Sequence, residues 1–515
     1  MRRVFILMFA LSALTTVHAR KATVTMDVTN IRLQTITGFG AASCDGAMKP
    51  YGTDTKPAEL LYGPDSEVGL NIMRMEISPS FEGDGWGDYD WNGSLPSAKI
   101  VKERGGIVFG TPWSPPGEYK TNGVAQGGKV NDKDENDPQN QRGKLRKDCY
   151  PKFFPWLNQF LEWMHDHGVD VDAVSVQNEP DWWVNYSGCL YEPSEQLELV
   201  KNYAHLLDRE KYNGVRLISA EPLGFRNDYS NTLLNDETAR NQVDIIAGHI
   251  YGHPPLEYIQ PAAVLAKKYG KEVWMTEHSV SDGKQTLPEW DDQLEFAREV
   301  NECLQSGCTG YIYWYMRAHW AFVSTGESKY GSKNSRKNKL LPRAYVYSHF
   351  AKNVTGSTLL KSTCSVDLTT NAAIELSAFV KGDSLIVMAI NSGTNDRDFT
   401  IRLNDTPFKV NSGEMIISWG NETFELCQKE DLVEGENITT KEEEHKMTVD
   451  LPAKSVVTYI FHLDPGSTAI EQVTKNTNEG HESYYDLQGR RLDIPHGLCI
   501  ERHADGTSRK VFVKD

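Results

Sequence analysis

Two glutamates stand where apolar runs open into loops. One ends Val174-Ser175-Val176-Gln177-Asn178-Glu179-Pro180, and the other ends Val273-Trp274-Met275-Thr276-Glu277. At the mouth of a buried strand, burial or a nearby negative charge can keep one carboxyl protonated, while a cation can keep another ionised. Cleavage of a glycosidic bond requires that pair of states. One group donates a proton to the leaving oxygen and the other attacks the anomeric carbon. Glu179 suits the acid/base part and Glu277 the nucleophile. Arg74 could hold Glu277 ionised, and Asn178 could bond the sugar 2-hydroxyl. Trp113 and Trp314 could form the walls of the sugar pocket. Glu221 and Glu76 read as structural carboxylates, His249 as a hydrogen-bonded core histidine, and His278 as turned away from Glu277. Tyr251 stands open between ligand and scaffold.

These residues need a scaffold that brings strand ends to one rim. Eight short apolar runs alternate with amphipathic stretches: residues 34–39, 71–77, 106–111, 172–177, 216–220, 244–249, 272–276 and 310–314. Runs rich in Val, Ile, Met and aromatics suit strands buried on both faces. Eight strand–helix alternations predict a (β/α)₈ TIM barrel over residues 35–355, an α/β fold whose active site lies at the C-terminal strand ends. From 356 to 463 strand-like runs follow one another directly, which predicts a side antiparallel β-sandwich. Residues 20–34 are strand-like and can join it. Residues 464–482 read as a linker, and 483–515 as a short β-rich C-terminal tail module. The insertion 117–147, rich in Gly, Asn, Asp and Lys, is expected to be a long loop on the active face.

The net charge of -17 argues against nucleic acid and anionic membranes as partners. It leaves a neutral polymer open, and the 12 Trp and 22 Tyr suit stacking on sugar faces. Arg2 and Arg3, the apolar stretch from Val4 to Val17 and the small residue Ala19 read as a signal peptide over 1–19, so secretion to a periplasm or the outside is expected. No later stretch is apolar enough for a membrane span, and a monomer is expected. The eight cysteines contain no Cys-x-x-Cys pair, so neither a metal site nor a cofactor is expected. Cys303 could bridge to Cys308, and Cys149 to Cys189; buried thiols remain the alternative.

The chain resembles glycoside hydrolase family 30, and within it the bacterial glucuronoxylan-type endo-xylanases. Asn178-Glu179-Pro180-Asp181, Trp113-Ser114-Pro115-Pro116, Leu233-Leu234-Asn235-Asp236, Gly248-His249-Ile250-Tyr251-Gly252 and Trp274-Met275-Thr276-Glu277 carry the likeness, which spans residues 22–463. It implies a barrel with a side β-domain and retaining chemistry without metal on plant cell-wall xylan. It places the acid/base and nucleophile on Glu179 and Glu277. Trp113, Asn178, Tyr251 and Trp314 match the innermost sugar contacts; Arg74, and Arg317 as the match of the first arginine of the eighth-strand motif, are expected as further substrate contacts. The second arginine of that motif, which grips a glucuronate branch, is replaced by Ala318, and Ser279 stands in place of a helping tyrosine. A methyl group cannot make a bidentate, charge-assisted contact. Strict glucuronate dependence is therefore not expected. The family also holds β-1,6-glucanases and glucosylceramidase-like enzymes. A sugar-binding protein on an inactive barrel is the alternative from another class.

Overall fold

The computed structural model describes residues 22–43, 54–81, 90–128, 140–252, 254–280, 289–318, 321–326, 337–365, 373–404, 410–420, 424–464 and the strands of the C-terminal tail. The expected signal peptide, Cys44, His319, Trp320 and most of the expected linker lie outside these residues.

Strand β1 (Ala22–Thr35) precedes a closed parallel barrel. Its strands are β2 (Gly38–Ala42), β3 (Ile72–Ile77), β4 (Ile107–Pro112), β5 (Ala173–Ser175), β6 (Arg216–Ile218), β7 (Ile245–His249), β8 (Glu272–Glu277) and β9 (Gly310–Tyr313). The helices between and after them are α1 (Lys56–Leu61), α2 (Leu95–Glu103), α3 (Tyr150–Asp166), α4 (Pro193–Tyr203), α5 (Asn227–Asn235), α6 (Glu237–Gln242), α7 (Pro255–Lys268), α8 (Trp290–Gln305) and α9 (Pro342–Val354). The first barrel strand is not the expected run 34–39. Gln34 and Thr35 end β1, and the barrel opens instead on the small residues Gly38-Phe39-Gly40-Ala41-Ala42. Gly40 explains this choice, because a Cβ there would lie 2.1 Å from the Ile72 carbonyl oxygen. The same local logic shapes α3. Phe153, Leu157, Phe160 and Met164 repeat at helical spacing and are buried, and Gly168, at φ +84°, ends the turn beyond His167.

The barrel interior shows how strand periodicity builds a site. Ile72, Phe109, Ala173, Ile218, Ala247, Trp274 and Ile312 form one apolar layer contributed by β3 to β9. Side chains two residues further on face the same way. Two residues on, Arg74, Thr111, Ser175, His249 and Trp314 make the next layer polar and aromatic on five of these seven strands.

The remaining strands are β10 (Thr358–Cys364), β11 (Ile374–Lys381), β12 (Ser384–Asn391), β13 (Arg397–Leu403), β14 (Val410–Gly420), β15 (Phe424–Asp431), β16 (Ile438–Lys441), β17 (Lys446–Leu451) and β18 (Ser455–Leu463). The two faces of a sandwich come from one continuous ten-stranded sheet, ordered β15-β14-β18-β12-β11-β10-β1-β13-β17-β16, curled over its own apolar core. β1 sits inside it, antiparallel to β10 and parallel to β13. Strands such as β13 and β17 lack a continuous apolar run; alternation in Phe399, Ile401 and Leu403 turns only one face inward. In the tail, β19 (Glu471–Val473), β20 (Ser483–Tyr485), β21 (Arg491–Leu492), β22 (Gly497–Arg502) and β23 (Ser508–Val513) form a five-stranded sheet. The expected linker 464–482 thus contains a strand, β19, paired in parallel with β23.

Helices α8 and α9 join the side sheet to the barrel. Arg298 pairs with Glu375 at 2.8 Å, and the Gln305 amide donates to the Leu376 carbonyl at 2.7 Å. His349 on α9 is fully enclosed, with Nδ1 2.8 Å from the Thr458 hydroxyl and Nε2 2.8 Å from that of Ser418. Burial lowers its imidazole to about 3. The unfolded chain therefore binds a proton below about pH 6.5 that the native protein refuses, so this group's contribution is lost as pH falls. Stability should drop by roughly 3 kcal/mol from this residue alone between pH 7 and pH 4. His349→Gln keeps two hydrogen-bonding ends without the titration. Its urea midpoint should fall less than that of the parent over the same range, and an equal fall would refute the role.

Cys149, Cys189, Cys303 and Cys308 are buried free thiols, so neither candidate bridge is formed. Among the described residues no helix is long and apolar enough to cross a membrane.

Candidate active site

Strand ends separated by up to two hundred residues converge on one buried cluster. Arg74 of β3 lies at its centre. Its guanidinium donates to Glu277 Oε2 at 2.5 Å and to Asn178 Oδ1 at 2.7 Å, and lies 3.1 Å from Glu221 Oε2. Trp113 stacks on it at 4.7 Å. Glu221, just beyond β6, also accepts from the Thr111 hydroxyl at 2.8 Å. His249 of β7 sits among three carboxyl groups. Nδ1 is 3.1 Å from Glu179, while Nε2 is 3.5 Å from Glu221 and 3.9 Å from Glu277. The Tyr251 hydroxyl donates to the other Glu277 oxygen at 3.1 Å.

Two backbone irregularities aim the glutamates. β7 pairs with β8 in step from Ile245–Glu272 to Gly248–Met275, but His249 then faces Glu277 rather than Thr276. Trp274 points inward, so strict alternation would turn Glu277 outward. The extra residue, Thr276, restores it to the inner face, as a β-bulge does. Glu179 is held at φ +43°, which is unusual outside glycine. Its N–H donates to the Glu221 carbonyl at 2.9 Å, and its own carbonyl accepts from Trp182 N–H at 3.0 Å. That kink carries its carboxyl back over the strand ends toward His249.

The electrostatics follow from counting charges. Burial opposes ionising Glu221, but Arg74 and His249 outweigh it and bring the carboxyl down to about 2. Burial likewise opposes a charge on His249; the charge of Glu277, with Glu179 and Glu221 facing the two ring nitrogens, lifts the imidazole to about 9. Two cations therefore face three carboxyl groups, and the cluster is neutral when one carboxyl keeps a proton. Burial, reinforced by the negative charge of Glu277, raises Glu179, and that is where the proton stays. Oxygen atoms of Glu179 and Glu277 and a nitrogen of His249 lie within 4.8 Å of one another. This set does not suit a metal ion, because an ion there would have to displace Arg74 from Glu277 and a proton from His249.

The rim residues complete a pocket. The Trp113 and Trp314 rings lie 6.0 Å apart, and the Gln177 amide holds the Trp113 carbonyl at 2.6 Å. Arg74 occupies Asn178 Oδ1, so the Asn178 amide N–H groups are the donors left for a ligand. Burial, then the charges of Glu277 and Glu179, keeps Tyr251 protonated as a donor.

The comparisons with known proteins agree with this geometry. The pattern of Glycosyl hydrolase family 59 matches residues 150–330, a span that includes both glutamates. Glucuronoxylanase XynC of Bacillus subtilis is 25% identical over 407 residues, covering 77% of this chain and 82% of that protein. The crystal structure of a glycoside hydrolase family 30 subfamily 8 xylanase from Clostridium acetobutylicum superposes with a TM-score of 0.65 at 28% identity. It covers 85% of this chain and 99% of that one. The chain is thus similar to members of glycoside hydrolase family 30. An endo-1,6-beta-D-glucanase of Aspergillus fumigatus is 28% identical over 204 residues, 34% of this chain and 42% of that protein. Family 30 is a family of retaining glycoside hydrolases, and the barrel with its side β-domain is the scaffold of this chain too.

Within this site, two expected substrate contacts are corrected. Arg74 is fully buried and acts through Glu277, Asn178 and Glu221 rather than on a sugar. Arg317 is also fully buried. It pairs with Asp54 at 3.3 Å and donates to Asn338 at 2.7 Å, so it braces the loop after β9. Ala318 is buried beside it, while Ser279 lies at the pocket edge against Tyr251. His249 and Glu221 are more than scaffold, since they set the charge of the site. His278 does turn away, to Glu299 at 2.8 Å, yet its ring packs 4.8 Å from that of Tyr251. Tyr186 escaped sequence reasoning. Its hydroxyl is raised by burial and then by the charges of Glu179 and Glu277, so it lies within their electrostatic reach. The run of aromatics Trp182-Trp183 and Tyr186 just after Asn-Glu-Pro was the available signal.

Proposed function

We propose that this family 30 hydrolase is a secreted retaining endo-β-1,4-xylanase without strict glucuronate dependence, with Glu179 as acid/base and Glu277 as nucleophile. The carrying observation is the short separation of the two carboxyl groups, whose oxygens approach within 4.8 Å. Retaining enzymes need about 5–5.5 Å, and inverting ones about 6.5–9.5 Å to admit a water. The glucuronoxylanase and xylanase relatives support xylan as the substrate. Ala318 and Ser279 in place of a guanidinium and a phenol support tolerance of undecorated chains. The apolar stretch of residues 4–17 behind two arginines supports secretion.

Proton NMR of a xylan digest should show the β-anomer forming first. Glucuronoxylan and arabinoxylan should be cut at similar rates, with cuts not spaced from glucuronates. Glu179→Gln should slow xylan cleavage by about 10²–10⁴-fold while sparing substrates whose leaving group needs no proton. An α-anomer as first product would overturn the mechanism. The Aspergillus fumigatus relative supports β-1,6-glucan as a second reading. Turnover of β-1,6-glucan in place of xylan would select it.

A further inference from the structure

A second concavity opens on the catalytic face, between the loops that follow β3 and β4. Its volume is about 630 Å³. Pro116 lines it and Trp113 lines the catalytic pocket. Three residues span at most ~10 Å, so the two cavities are neighbours along the same rim.

Its walls are built rather than incidental. The Trp91 indole donates to the Ser78 carbonyl at 3.0 Å, and that of Trp156 to the Pro79 carbonyl at 3.0 Å. Two buried indoles thus fix the segment that presents Phe81. Phe81 is 52% exposed and sits edge-on to Trp91 at 6.4 Å. The opposite wall, residues 116–126, is pinned by Lys120. Its buried ammonium donates to the carbonyls of Ala125 at 2.7 Å, Gln126 at 2.9 Å and Gly188 at 2.6 Å. Tyr119 adds a second half-buried ring.

Polar groups face the space without partners of their own. The side chains of Glu118, Gln126 and Gln159 line it, and none of them makes a hydrogen bond to another described residue. Glu118 is the one charged residue among those lining it. Rings to stack on, amides to exchange hydrogen bonds and a carboxylate that repels anions describe a site for an uncharged sugar. A uronate would meet Glu118, and among the described lining residues there is no cation to offset it; Lys152 lies 5.6 Å over the Tyr119 ring, outside the lining.

We propose that this cavity is a second carbohydrate site, which holds an uncharged sugar unit of the same polysaccharide away from the bond being cut. The proposal rests on the chain being a polysaccharide hydrolase, whichever polysaccharide it cuts.

The test compares long and short substrates. Phe81→Ala and Gln159→Ala change exposed side chains, and their melting temperatures should match the parent. On the polysaccharide that the parent cleaves, kcat/KM should fall about fivefold or more for Phe81→Ala, chiefly through KM. On an aryl glycoside of the same sugar, which fills the catalytic pocket alone, kcat/KM should be unchanged. Unchanged kinetics on both substrates, or an equal loss on both, would overturn the proposal. A parent inactive on xylan but active on another glycan defeats the xylanase reading alone, and the same comparison then runs on that glycan.

Discussion

Glu277→Ala should lower kcat by about 10⁴-fold or more, and azide should restore turnover with a product of the opposite anomeric configuration. The geometry carries both halves of this expectation. One oxygen of Glu277 is engaged by Arg74 at 2.5 Å and the other by the Tyr251 hydroxyl at 3.1 Å, so the carboxylate is fixed in place before substrate arrives. Truncation leaves a space at the carboxylate position that a small anion can fill, and attack from there without a covalent enzyme intermediate inverts the sugar. The fold should survive. With Glu277 gone, two cations face the two remaining carboxyl groups, while burial still raises Glu179. Mass spectrometry of the parent with a fluorinated slow substrate should find the sugar on the peptide that contains Glu277. Residual xylan turnover above a few per cent, or an adduct on another residue, would sink the assignment.

Arg74→Met should be the most destructive change outside the reacting groups. Arg74 is fully buried and answers two carboxylates, Glu277 at 2.5 Å and Glu221 at 3.1 Å. Removing one partner of a buried ion pair costs about 3–5 kcal/mol, because the charge left behind has no water to turn to. Melting should fall accordingly. In whatever fraction folds, His249 alone faces three carboxyl groups, so a second of them must take up a proton. Glu277 also loses the partner that fixes it, so kcat at neutral pH should drop by about 10²-fold or more. Arg74→Lys keeps the charge but cannot serve Glu277, Asn178 and Glu221 together, and should fall between the two. A folded Arg74→Met variant with the kcat of the parent would refute this account of the site.

The strands and the reaction were legible in the sequence for one physical reason. A strand buried on both faces must be apolar throughout, and the loop that follows it need not be. Asn178-Glu179-Pro180 and Glu277 stand out at that change of composition. The side sheet was half legible because strands such as β13 and β17 bury one face only. Burial itself was not legible at Arg317, where Asp54 and Asn338, distant in sequence, decide that a guanidinium braces a loop instead of meeting a sugar.

What the sequence determined by itself was the barrel, the place of two glutamates at strand ends and the aromatic character of their surround, all properties of local pattern. What only the tertiary structure decided was direction and charge. The bulge at Thr276 and the positive φ at Glu179 turn both carboxyls onto one side of the site, and neither leaves a mark in residue type. Residues read as scaffold, His249 and Glu221, join Arg74 from strands far apart in the chain to set a balance in which one proton stays on Glu179. Ionisation in a buried cluster depends on every charge within a few ångströms, and only the closed barrel brings those charges together.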